Sequence, residues 1–146
     1  MTFILTSEAV IGRASYMNAE IFRKLKHELR TPVNHILGYS DLLLETAEDT
    51  DDSATADLAR NIHANGQMLA QLLEKNLLST TGEIDDSQMD VLRESIRPVV
   101  KQILETVASH STLPGADLHQ NDLDRIRRAA EQLFVLLKAE KIPVSE

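Results

Sequence analysis

Apolar residues recur at helical spacing along four stretches of this 146-residue chain. In the first, from about Ser15 to Glu48, one stripe carries Met17, Ile21, Leu25, Leu29, Val33, Ile36 and Leu43. At 1.5 Å per residue, this stretch predicts a helix roughly 50 Å long. The second stretch, about Ala54 to Ser79, places Leu58, Ile62, Asn65, Leu69, Leu72, Asn76 and Leu77 close to a heptad pattern. A third, about Ser87 to Ser109, turns Met89, Leu92, Ile96, Val99, Val100, Ile103 and Val107 inward. The fourth, about Leu118 to Lys141, does the same with Leu123, Ile126, Ala130, Leu133, Leu136 and Leu137.

Polar breaks separate these stretches. Glu48, Asp49, Asp51 and Asp52 form an acidic turn in which Asp52 or Ser53 can cap the next helix. Thr80 to Asp86 contains Gly82, and Ser111 to Ala116 contains Pro114-Gly115, a strong turn signal. The pattern predicts two helical hairpins, 15–79 and 87–141, joined by a linker at 80–86. An N-terminal arm (1–14) and a C-terminal tail (142–146) flank them. Two such hairpins close most simply as a four-helix bundle, so the expected fold is all-α.

The hairpins also read as a degenerate repeat. Leu29-Arg30, Val33, Ile36 and Leu37 align with Ile96-Arg97, Val100, Ile103 and Leu104. In the second helices, Ile62, Leu69, Leu72 and Leu73 align with Ile126, Leu133, Leu136 and Leu137. Each first helix holds an interior proline, Pro32 and Pro98, one residue out of register. An interior proline costs about 3 kcal/mol, which argues against two idle occurrences.

Composition narrows the picture. With 42% hydrophobic but only 3% aromatic residues, the core must be aliphatic, as in helix bundles. A net charge of -8 disfavours sequence-independent nucleic-acid binding and docking on anionic membranes. The chain has no cysteine, which excludes disulfides and thiolate metal sites. The apolar patch Phe3, Ile4, Leu5, Val10 and Ile11 is too short to span a bilayer. The expected location is cytoplasmic.

The candidate chemistry centres on His27. Residues three, four and seven positions on share its helical face, and here these are Arg30, Thr31 and Asn34. His27 lies well round the helix from Leu25 and Leu29, so its ring should reach solvent as a neutral nucleophile. Glu28 is a candidate to orient one ring nitrogen, and Arg30 to offset phosphoryl charge. Thr31 is placed to position a hydrolytic water. Pro32 removes an amide hydrogen bond to the Glu28 carbonyl, favouring a bend beside the histidine.

The run Phe22-Arg23-Lys24-Leu25-Lys26-His27-Glu28-Leu29-Arg30-Thr31-Pro32-Val33-Asn34-His35-Ile36-Leu37-Gly38-Tyr39-Ser40-Asp41-Leu42-Leu43 resembles the H-box of sensor histidine kinases. More specifically, it is similar to their HisKA-type dimerisation and histidine phosphotransfer domain. The resemblance covers roughly residues 15–79. It implies that His27 is the phosphoacceptor, that Glu28 assists as acid or base, and that Thr31 is the threonine of an E-x-x-T phosphatase motif. It also implies that Asn34, Gly38, Asp41 and Leu42 help to dock a response-regulator receiver.

The departures shape the expectation. Nothing after Ser79 resembles the asparagine-bearing helix and glycine-rich boxes of a kinase ATP-binding domain. The chain alone is therefore not expected to bind ATP or to phosphorylate itself. ATP and magnesium would enter only through a separate kinase or a receiver. In the second copy Glu94 aligns with His27, and Ser95 with Glu28.

The reading is a phosphotransfer and receiver-docking module, folded as a pseudo-dimer within one chain rather than as two paired hairpins, with monomer and homodimer both open as its assembly. The alternative is a non-catalytic dimerisation or regulatory scaffold from a larger signalling protein.

The remaining features take plainer expectations. His27 and His35 are two turns apart, too far for one metal ion, and no metal site is expected. His63, His110 and His119, without convergent partners in the sequence, are assigned to solvent or caps. Asn65 and Asn76 would set helix register. Gly38 and Gly66 would permit close helix approach, and Met17, Met68 and Met89 would fill the core.

Overall fold

A computed structural model describes residues 16–17, 19–78, 84–110 and 116–138. The first stripe forms α1 (Ala19–Asp49), a continuous 31-residue helix with Pro32 inside it. It starts later than its apolar periodicity suggests. Tyr16–Met17 is instead a short extended segment, β1, paired antiparallel with β2 (Ile84–Asp85), Tyr16 opposite Asp85. Backbone groups committed to a partner strand cannot also make helical hydrogen bonds, so the pairing delays the helix.

The end of α1 is specified locally. Asp51 adopts a positive φ of 55°, a left-handed conformation that aspartate tolerates better than most residues. The Asp52 amide then reaches back to the Ala47 carbonyl at 2.8 Å, the long-range bond of a left-handed helix stop. Asp52 at once starts α2 (Ser53–Leu73): its carboxylate accepts from the Thr55 amide at 3.1 Å and the Thr55 hydroxyl at 2.8 Å. Of the two candidate caps, Asp52 serves. A wider π-helical turn, Glu74–Leu78, extends α2.

The second hairpin comprises α3 (Asp86–His110), a 3₁₀ turn (Ala116–His119) and α4 (Gln120–Lys138). The helices close in a ring, α1 packing on α2 and α4, and α3 on α2 and α4. The protein is thus an all-α four-helix bundle closed by one chain. Among the described residues, no helix is long and apolar enough to cross a membrane. The N-terminal arm, most of the linker and the C-terminal tail lie outside the described residues.

The buried stripes of α1, α3 and α4 largely follow the sequence pattern, with Leu25, Leu29, Val33, Ile36 and Leu43 meeting Leu92, Ile96, Val100 and Ile103 in one core. Val107 and Leu136 are half-buried at its margin.

Helix α2 departs from expectation. Its buried line is Ala59, Ile62, Gly66, Leu69 and Leu73, while Leu58 and Leu72 flank it. Small residues on that line let the backbones approach. A β-carbon at Gly66 would meet Leu37 Cδ2 at 3.0 Å and Ile36 Cγ2 at 3.1 Å. Asn65 and Asn76 are consequently off the core, bonded to Asn61 and to the Leu72 carbonyl. A β-carbon at Gly38 would meet nothing within 4 Å, so this glycine serves no close approach. Met89 is buried, Met68 is 47% exposed, and the Met17 side chain lies outside the described residues.

The repeat is visible in three dimensions. An offset of 67 residues carries buried Leu25, Leu29, Val33 and Ile36 onto buried Leu92, Ile96, Val100 and Ile103, and an offset of 64 carries Ile62, Leu69 and Leu73 onto Ile126, Leu133 and Leu137. Extended further, these offsets place His110 at the counterpart of Leu43, and His119 at the counterpart of Thr55. The prolines differ: Pro32 is buried, Pro98 exposed.

Candidate functional site

The inward stripe of α1 fixes which residues face out. With Leu25, Leu29, Val33 and Ile36 in the core, His27, Arg30, Asn34, Gly38, Asp41 and Leu42 are exposed, and Glu28 and Thr31 are half-exposed at the edge. The structure therefore gathers the expected site residues along a single helix face. They form a linear display of side chains along the helix.

Adjacent residues on a helix point about 100° apart. Accordingly, among the described residues the His27 ring takes no hydrogen bond from Glu28 or any other group. Its nitrogens are open to an incoming partner. Thr31 donates its hydroxyl proton to the His27 carbonyl at 3.1 Å, leaving the oxygen lone pairs free to accept. In this rotamer Thr31 can hold a water as an acceptor; donating to it would require rotation away from the helix.

Thr31 and Pro32 act on neighbouring carbonyls. Pro32 has no amide hydrogen to offer the Glu28 carbonyl, while Thr31 adds a second donor at the His27 carbonyl. The helix nevertheless runs unbroken through both, because Pro32 is itself packed in the interior.

Lower on the face, the Asp41 carboxylate lies 3.2 Å from His63 Nε2, so His63 has a partner across the α1–α2 seam. On the opposite seam, His35 and Tyr39 stack edge to face at 6.0 Å, and Arg125 of α4 lies 5.2 Å over the Tyr39 ring. Sequence reading missed this Arg125 contact, since its partner is 86 residues away.

His110 and His119 are a larger correction. Both are 1% exposed. His110 Nε2 is 3.2 Å from Thr55 Oγ1, and His119 Nε2 is 3.3 Å from Asp52 Oδ2. Burial pushes the His110 pKa below its ordinary value, the neighbouring His119 adds to that shift, and Asp52 opposes it. The Asp52 carboxyl is likewise held below the usual range, first by the Thr55 amide. Among the described residues, no three histidine or carboxylate side chains gather in a metal-binding arrangement.

Residues 17–83 match the His Kinase A (phospho-acceptor) domain, HisKA. The match takes in the whole of the first hairpin. Among curated proteins, the chain is 26% identical over 113 residues to Histidine kinase 3 of Arabidopsis thaliana, covering 77% of this chain and 11% of that protein. It is 25% identical over 145 residues to the Non-motile and phage-resistance protein of Caulobacter vibrioides, covering 94% of this chain and 17% of that protein. Probable histidine kinase 3 of Oryza sativa subsp. japonica is 26% identical over 105 residues, covering 72% of this chain and 10% of that protein. The chain thus spans less than a fifth of each of these relatives. No solved structure matches it significantly. These matches liken the first hairpin to the phospho-acceptor domain of histidine kinases.

Proposed function

We propose that this protein is a histidine phosphotransfer module that takes a phosphoryl group onto His27 from a receiver aspartate or a separate kinase, and passes it to another receiver. The observation that carries this reading is the exposed His27 ring, which has no hydrogen-bond partner among the described residues, on the hairpin that matches HisKA. At the aligned place in the second hairpin stands Glu94, which cannot form a phosphoramidate. The bundle thus offers one acceptor where a symmetric dimer of hairpins would offer two.

A neutral His27 nitrogen attacks the phosphorus of an acyl phosphate, the bond from phosphorus to the aspartate oxygen breaks, and the carboxylate leaves. Such a transfer rests on positioning and charge stabilisation. Arg30, one turn on, is available to offset phosphoryl charge, and Glu28 at the edge of the face is available to take up a ring proton. Thr31 supplies an acceptor for a water in the hydrolytic reaction. Asn34, Gly38, Asp41 and Leu42 continue the face on which the receiver would sit. Any magnesium or nucleotide belongs to the partner.

The test is direct. Purified protein incubated with phosphorylated receivers, or with an active histidine kinase, should acquire acid-labile, base-stable phosphate, and His27→Gln should abolish it. Label that persists in His27→Gln, or none with any two-component partner from the same genome, would overturn the assignment.

A further inference from the structure

We propose that the receiver-docking face is a composite of both hairpins, centred on the seam between α1 and α4, where Arg125 and Arg128 of the second hairpin select a receiver surface rich in carboxylates. This rests on the phosphotransfer reading above and adds to it the side of approach and the selecting residues.

The seam is continuous with the His27 face. Going down α1 from Thr31, it presents exposed His35, half-buried Tyr39 and then Leu42, which is 48% exposed. Tyr39 does not stand free: the His35 ring packs edge to face with it at 6.0 Å, the Arg125 guanidinium covers it at 5.2 Å, and Arg125 Nη1 donates to its hydroxyl at 3.5 Å. An aromatic ring held between an imidazole and a guanidinium is a preorganised contact, and aromatic residues with arginine are enriched where protein interfaces carry their binding energy.

Charge gives the partner's chemistry. Arg127 on α4 is neutralised by Asp124 at 3.6 Å and Glu131 at 3.1 Å. Arg125 and Arg128, both exposed, have no carboxylate partner among the described residues. In a chain of net charge -8, two uncompensated guanidinium groups one turn apart make a local positive patch. The other seam differs, since Asp41 there meets His63, and Arg60 is bound by Glu48 and Asp57. An acidic partner that docks at His27 would meet these two cations where the α1 face borders α4. The second hairpin, lacking an acceptor, thereby serves recognition.

Transfer from phosphorylated receivers to His27 tests this, with initial rates measured against receiver concentration at low and high salt. Arg125→Glu and Arg128→Glu should each raise the receiver's KM about tenfold while leaving kcat within about twofold, the mark of a lost docking charge. They should also weaken the salt dependence. Arg128 is exposed on α4, so Arg128→Glu remains informative if Arg125→Glu unfolds. Lys101→Glu, the same charge reversal on exposed α3, is the control and should leave both constants unchanged. If wild-type His27 is labelled but the two arginine variants match it, or if Lys101→Glu is equally impaired, the composite face is refuted and phosphotransfer stands. If no receiver labels wild-type His27, both ideas fall together.

Discussion

His110 and His119 meet edge to face inside the bundle, ring centroids 5.7 Å apart and each residue 1% exposed. They occupy the second-hairpin counterparts of Leu43 and Thr55, so the repeat has put imidazoles where the first hairpin has a leucine and a threonine. Their Nδ1 atoms have no partner among the described residues. Burial therefore disfavours a positive charge on His110.

The pH dependence follows in sign from these environments. The native His110 pKa is depressed below the ordinary 6.5, first by burial and then by His119. Below pH 6.5 the unfolded chain binds a proton that native His110 resists, so stability falls as pH drops from there toward the native pKa. Asp52, depressed below 3.8, withdraws its share only in stronger acid. Melting temperatures should therefore fall between about pH 7.5 and about pH 5.5, and His110→Leu, restoring the residue found at the paired position, should flatten that slope. An unchanged slope in the variant would assign the effect to other groups.

Asp52 joins three elements: its amide bonds the Ala47 carbonyl at the end of α1, its carboxylate caps α2 through Thr55, and it reaches His119 in the 3₁₀ turn before α4. Asp52→Asn keeps a capping oxygen but loses the charge facing His119, whereas Asp52→Ala loses both. Urea midpoints at neutral pH should fall in the order wild type, Asn, Ala. Equal midpoints for Asn and Ala would mean that charge rather than capping holds this end together.

Much of the architecture was legible because aliphatic stripes at period 3.6 fixed four helices and the inward lines of α1, α3 and α4. The site face followed from the same stripe, since burying Leu25, Leu29 and Val33 leaves His27 and Asn34 outside. Helix α2 differs by one position because Ala59 and Gly66 gain their place by smallness, whereas a pattern weighted on leucines selects Leu58 and Leu72 with Asn65 and Asn76. The contacts of His63, His110, His119 and Arg125 were hidden for another reason. Each depends on how helices pack sideways, which spacing within one helix does not encode.

The two described helix glycines should respond oppositely to alanine. Gly38 is exposed, and an added methyl meets nothing within 4 Å, so Gly38→Ala should gain about 0.5–1 kcal/mol of helix stability. At Gly66 the same methyl meets Ile36 at 3.1 Å and Leu37 at 3.0 Å, and Ile36 is fully buried. Overpacking of this kind costs about 1–3 kcal/mol and should exceed the propensity gain. Chemical denaturation should place Gly66→Ala below wild type and Gly38→Ala above it; stabilisation by both would mean that α1 and α2 separate easily.

An ordinary dimer of HisKA hairpins needs two chains to complete its four-helix core. Here the second hairpin supplies the other two helices: α1 is covered by α2 and α4, and α3 by the same pair. Among the described residues, the exposed large apolar side chains, Leu42, Met68, Val91, Leu118 and Val135, are spread over the four helices and the 3₁₀ turn. Light scattering should accordingly give a mass near 16.3 kDa that holds over a dilution series. A doubled mass that dissociates on dilution would point to hairpins exchanged between chains. It would also restore two His27 sites to each particle, so phosphate stoichiometry measured on the same sample, one per chain in either case but two per particle in the dimer, separates the two assemblies.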